Sequence, residues 1–281
     1  MINDRSFGQN KKTVIDYGIA YMKGMQDNGV MAAAKHFPGH GDVNVDSHLD
    51  IPVVNKSREA LDSMELAPFK ALIDAGIESV MVAHLSVPAI DNGEKRPTSL
   101  SSKAISGLLK TELGFKGITV TDALDMKAIS NYYPEGEANV QAILAGNDML
   151  CLPGDIGQSI KKVKEAIAEG RLSVKDIDAR VKKVLSAKYK YGLSQIKEID
   201  TTNIIADLNG SSIPIKSAVA ISEIDVDTNI RIMGIVRNPI SIEITEVDIE
   251  IGTRIGNGLH WTETTARQAI GAHPPIGQRD L

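Results

Sequence analysis

Between residues 13 and 193, short apolar runs alternate with Gly- or Pro-marked loops and longer stretches of helical period. That rhythm predicts βα units around a parallel sheet. Four strand-length runs stand out: Val30–Ala34, Ser79–Ala83, Ile118–Thr121 and Asp148–Leu152. A helix over Thr13–Asp27, stopped by Asn28-Gly29, leads into the first run. A single helix over Glu59–Ala75, opened by Ser57 and closed by Gly76, leads into the second. Helices over Lys103–Leu113 and Glu137–Ala145 precede the third and fourth runs, and two more follow at Ile156–Ala168 and Val174–Tyr189, the latter opened by Ser173.

From about Asn209 the texture changes. Alternating stretches such as ISIEITEVDIEI predict strands, while the last twenty residues carry no usable periodicity and are expected to be unanchored. The sequence therefore divides into 1–208, an α/β unit, and 209–281, a β-rich or irregular segment of unassigned role.

Composition narrows the function classes. The chain has 281 residues, 42% of them hydrophobic and 24% charged, as in globular proteins at large. Its 31 basic and 36 acidic residues give a net charge of -5 without long single-sign blocks, so neither nucleic acid nor an anionic membrane is an expected partner. Cys151 is the only cysteine, which excludes an internal disulfide. The first residues, MINDRSFGQNKK, have no apolar core of a signal peptide, and no apolar run reaches membrane-spanning length.

Histidines are not evenly spread. Four of the six lie between positions 36 and 84, three of them in KHFPGHGDVNVDSH, Lys35 to His48. This segment starts at the C-terminal end of a predicted parallel strand, the end at which α/β barrels build their active sites. A metal site would need ligand spacing such as HExxH or a His and carboxylate helix, and Pro38, Gly39 and Gly41 make a shaped loop instead. No metal and no cofactor are therefore expected. His36 and His40 fit either substrate contact or plain hydrogen bonding that fixes the loop. Asp46-Ser47-His48 has a distinct meaning: a carboxylate two residues away can orient the imidazole and favour its protonated form, leaving one nitrogen for proton transfer. A surface histidine beside an acid is the simpler alternative. Asp122, in GFKGITVTDALDM, sits at the end of the third predicted strand, facing the same mouth or else capping the next helix.

Taken together, KHFPGHGDVNVDSH and GFKGITVTDALDM resemble the two signature segments of glycoside hydrolase family 3, in particular its bacterial β-N-acetylglucosaminidase branch. The resemblance runs over about Ile2 to Leu208 and includes RSFG at Arg5–Gly8, VMVAHLSVPAID and AGNDMLCLPG. It implies a (β/α)8 TIM barrel and a retaining mechanism in which Asp122 is the nucleophile and His48, oriented by Asp46, the acid/base. It further implies that Arg5, Lys35, His36, His40 and Met126 contact a small carbohydrate, an N-acetylglucosaminide or a muropeptide-like fragment. A β-glucosidase, a phosphorylase with phosphate as acceptor, and an inactive barrel remnant with a binding role are the alternatives. By the same resemblance the compartment is bacterial cytoplasm or periplasm. RSFG lies partway along the family's barrel, so about four βα units of an incomplete barrel are expected, with self-association through open edges.

Overall fold

The computed structural model describes residues 6–40, 50–134, 136–195 and 201–204, together with the backbone of 229–234, 247–255 and 258–261. The chain divides into two compact units, Met1–Glu198 and Ile199–Leu281, where the sequence texture placed a boundary at 208.

The first unit has the expected α/β class. Its sheet consists of four parallel strands in the order β1 (Ala33–Phe37), β2 (Ser79–Val82), β3 (Ile118–Ala123) and β4 (Met149–Cys151). Chain order equals spatial order, so each connection carries the chain one strand along and back to the same end of the sheet. α1 (Lys11–Gln26) precedes β1, and α2 (Arg58–Ser63) and α3 (Leu66–Asp74) lie between β1 and β2. The short α4 (Pro88–Asp91), a 3-10 turn at Thr98–Leu100 and a π-helix at Lys103–Glu112 join β2 to β3. Then α5 (Lys127–Ser130) and α6 (Glu137–Ala145) lead to β4, and α7 (Ile156–Ala168) and α8 (Val174–Lys190) follow it.

Local chemistry explains the boundaries. Asn10, Ser57, Asp155 and Ser173 each accept a hydrogen bond from a backbone N–H of the first turn of the helix that follows. Val30 donates its N–H to Met25 O, beyond Gly29 at φ 79°, so the residue expected to open the first strand is spent on closing α1. The strand consequently begins three residues later, at Ala33, and the expectation of Val30–Ala34 is corrected to Ala33–Phe37. Lys35 and His36 therefore lie within the strand.

The helix expected over Glu59–Ala75 is two helices broken at Met64 and Glu65. Pro68 is the reason: it has no N–H to give, and its ring would meet the carbonyl of Met64 if the helix ran through. The stretch near Lys103 winds as a π-helix, with Leu113 N bonded to Leu108 O, where an α-helix was expected.

The main core lies between the sheet and the α1, α3 and π-helix layer. It contains Val80, Val82, Phe37, Phe69, Ile105 and Leu109. The Phe37 and Phe69 rings meet edge to face at 5.2 Å, fastening β1 to α3. Gly117 allows the chain entering β3 to approach β2, since a Cβ there would come within 2.2 Å of Glu78 O. No helix among the described residues is long and apolar enough to cross a membrane.

The second unit contains β5 (Asn229–Gly234), β6 (Val247–Ile255) and β7 (Gly258–Trp261), an antiparallel sheet in that order. The alternating VDIEI falls in β6, as its period predicts. The ISIEIT half of that stretch and the last twenty residues lie outside the described ones.

Candidate active site

The C-terminal ends of β1, β2 and β3 bring the chemistry-bearing residues to one edge of the parallel sheet. On β1, the Lys35–His36 and Phe37–Pro38 peptides are both cis. Lys35 is exposed, His36 half-buried and His40 buried. The His36 and His40 rings meet edge to face at 5.8 Å. Gly39 holds this turn: its φ of 136° suits glycine, and a Cβ there would meet Glu65 Cβ at 2.7 Å. Glu65 is itself fixed by an ion pair with Lys56 at 2.6 Å.

Asp122 is the penultimate residue of β3 and is half-buried. Its Oδ1 accepts the N–H of Ala123 at 2.9 Å. The alternative reading, that it merely caps a following helix, is not met: the next helix, α5, starts at Lys127, and its N-cap position, Met126, makes no side-chain cap bond. Met126 is half-buried in the turn after Asp122.

One residue that the sequence reading left unassigned sits at the centre of this group. His84, just beyond β2, is fully buried. Its Nδ1 lies 2.7 Å from Ser99 Oγ and its Nε2 lies 2.7 Å from Ala123 O. Burial holds the imidazole below its ordinary pKa, against the Ala123 carbonyl and the charges of Asp122 and Asp125, while His40 adds to the lowering. The signal available in the sequence was a histidine inside the mostly apolar run VMVAHLSV.

At the end of β4, Cys151 lies opposite Ala123 in the ladder, its thiol pKa raised by burial and by Asp122 and Asp125. Of the other residues named from sequence, Arg5, Asp46 and His48 lie outside the described ones. The structure thus brings together Lys35, His36, His40, Asp122 and Met126 at one end of the sheet and adds His84. Among the described residues, no three His, Cys, Asp or Glu side chains are grouped as a metal site.

The profile of the glycosyl hydrolase family 3 N-terminal domain matches residues 1–187. "Beta-hexosaminidase A" of Pseudoalteromonas piscicida is 35% identical in a 209-residue alignment that covers 68% of this chain and 35% of that protein. A solved family 3 β-N-acetylglucosaminidase from Paenibacillus sp. str. FPU-7 superposes with a TM-score of 0.66 at 41% identity, covering 70% of this chain and 38% of the other. The β-glucoside phosphorylase BglX superposes with a TM-score of 0.69 at 27% identity, covering 84% and 43%. The chain spans less than half the length of each of these proteins.

Proposed function

We propose, from the premise that this chain belongs to glycosyl hydrolase family 3, that it carries the site of a retaining glycosidase acting on terminal β-linked N-acetylglucosamine. The observation that carries this reading is Asp122: a carboxylate at the C-terminal end of a parallel strand, one oxygen held by the next backbone N–H, at the same end of the sheet as Lys35 and His36 of β1, with β2 between the two strands. The N-acetylglucosamine preference rests on the hexosaminidase and acetylglucosaminidase names of the relatives.

In the first step Asp122 attacks the anomeric carbon and the glycosidic C–O bond breaks. His48 gives its proton to the departing oxygen, and the sugar remains esterified to Asp122. In the second, His48 takes a proton from water, whose oxygen displaces the ester and restores the Asp122 carboxylate. Asp46 orients His48 throughout. With Oδ1 engaged by Ala123 N–H, Oδ2 is the oxygen of Asp122 that takes no hydrogen bond from a described residue, and we assign the attack to it. Lys35, His36, His40, Met126 and Arg5 are assigned to the sugar.

The test is Asp122→Asn on a chromogenic N-acetylglucosaminide. Loss of several orders of magnitude in turnover is expected, since the covalent route disappears. Less than about a tenfold loss would put the nucleophile elsewhere. The likeness to a β-glucoside phosphorylase sets a second arm: phosphate in place of water would yield a sugar 1-phosphate, and detection of that product reassigns the acceptor.

A further inference from the structure

We infer that His84 is a positioning residue for Asp122, its Nε2–H holding the Ala123 carbonyl and with it the backbone on which the attacking carboxylate is set. The inference rests on the reading of Asp122 as nucleophile.

The hydrogen bonds define the ring's state. A carbonyl only accepts, so the 2.7 Å contact to Ala123 O places the proton on Nε2. Nδ1 is then the acceptor, taking the Ser99 hydroxyl at 2.7 Å. Ser99 is in turn fixed on both sides: its N–H donates to Ala83 O at 3.0 Å, and its carbonyl accepts Asn147 Nδ2 at 2.8 Å. Burial keeps the imidazole neutral, with Asp122, Asp125 and His40 as the titratable groups facing it.

The sheet itself explains why Asp122 needs such a tie. Register between β2 and β3 ends at Val82 opposite Thr121, one residue before Asp122. On the other side, the ladder with β4 is irregular between Val120 and Ala123, the interval that contains Asp122. There β4 holds on through substitutes: Cys151 N donates to Thr121 Oγ1 at 2.9 Å, and Leu124 N donates to Cys151 O at 3.0 Å. From the β2 side, the corresponding bond is the one from His84 to Ala123 O. The residue whose carbonyl His84 fixes is the residue whose N–H binds Asp122 Oδ1; the two groups lie on successive peptide planes that meet at the Ala123 Cα, so the imidazole anchors the backbone from which that hydrogen bond is made. A displacement of about 1 Å at such a centre can slow reaction by about 10²-fold.

A histidine that only fills the core would matter to stability alone, and two measurements separate the two roles. In long-range ¹H–¹⁵N spectra of the full chain, His84 should be a neutral Nε2–H tautomer at pH 7. An Nδ1–H tautomer or an imidazolium overturns the inference without any assay. The second measurement is labelling by 5-fluoro-N-acetylglucosaminyl fluoride, in which Asp122 forms the C–O bond as fluoride leaves and the ring fluorine slows release. Labelling rate is read by intact mass. His84→Phe, which keeps bulk and loses the donor, should label about 10²-fold more slowly at saturating probe, with half-saturation unchanged. His84→Gln, which restores a donor near Nε2, should recover most of that rate. Should His84→Phe fail to fold, Ser99→Ala gives the reading: it removes the hydroxyl that holds Nδ1, lets the ring turn away from the Ala123 carbonyl and should slow labelling several-fold. Undiminished rates in the folded variants overturn the role of His84, whereas a wild-type chain that takes no label fails the nucleophile reading and this inference with it.

Discussion

Tyr132 and Asp50 meet across 82 residues of chain, the phenol donating to Asp50 Oδ1 at 2.5 Å. Lys95 adds its ammonium over the Tyr132 ring at 5.6 Å. The contact joins the turn after α5 to the residue two positions beyond His48. The Tyr132 hydroxyl, helped by the Ile51 N–H, holds the Asp50 carboxyl below its ordinary pKa. Tyr132→Phe should therefore move the Asp50 titration up, as read from the side-chain carboxyl carbon shift. An Asp50 that titrates identically in both proteins would show that the contact does not form in solution.

At the opposite end of the strands, Asp148 is the hub of a charged network. Its Oδ2 takes Lys183 at 2.8 Å and the Thr119 N–H and hydroxyl at 2.9 Å each, with Lys110 at 3.4 Å. Burial raises the carboxyl, but Lys183, the Thr119 N–H and Lys110 outweigh it and hold it below the ordinary value. The folded pKa is thus lower than the unfolded one, so this contribution is complete above about 4 and is lost as pH falls through the folded value. Asp148→Ala leaves two lysines without their partner and should destabilise by about 2–4 kcal/mol in chemical denaturation. The acid limb of stability should flatten in the variant, and an unchanged limb would assign it to other carboxylates.

Much of this was legible in the sequence. The helices at Glu137–Ala145 and Ile156–Ala168 fall where apolar spacing and end signals placed them, and α8 starts behind Ser173 as expected. Misplaced elements trace to single residues whose local bonding outweighs hydrophobic period: Val30, used by the α1 cap, and Pro68, which splits a helix that period alone would run through. His84 escaped assignment for another reason. Its role depends on meeting Ser99 and Ala123, neither of which is marked by residue type, and only tertiary contact reveals it.

α8 has no fully buried residue: Ile177, Arg180, Val184 and Ala187 are half-buried, while Val174, Val181, Leu185 and Tyr189 are exposed, Tyr189 at 76%. These positions recur at near-helical intervals, so they form an apolar stripe, a feature that drives association. The chain should accordingly run above its monomer mass in multi-angle light scattering. Val181→Lys combined with Leu185→Lys should shift the distribution toward the monomer. A wild-type chain that is monomeric at micromolar concentration would remove this stripe as an interface.

The assignment of His48 as proton donor makes a prediction that depends on the leaving group. An aryl aglycone with a strongly acidic phenol departs as an anion and needs little protonation, whereas an alkyl or sugar aglycone must be protonated as the C–O bond breaks. His48→Ala should therefore slow the glycosylation of poor leaving groups by about 10²–10⁴-fold and leave activated aryl glycosides far less affected in that step. Hydrolysis of the ester also needs a base, so activated substrates should show a burst followed by slow turnover. Added azide, which attacks the ester without needing deprotonation, should speed that phase and yield a glycosyl azide of retained configuration. Asp46→Ala should shift the same comparison in the same direction by a smaller factor, because the imidazole remains but loses its orienting partner. Equal losses on both classes of substrate, with no burst and no azide effect, would take His48 out of the acid/base role while leaving Asp122 untouched.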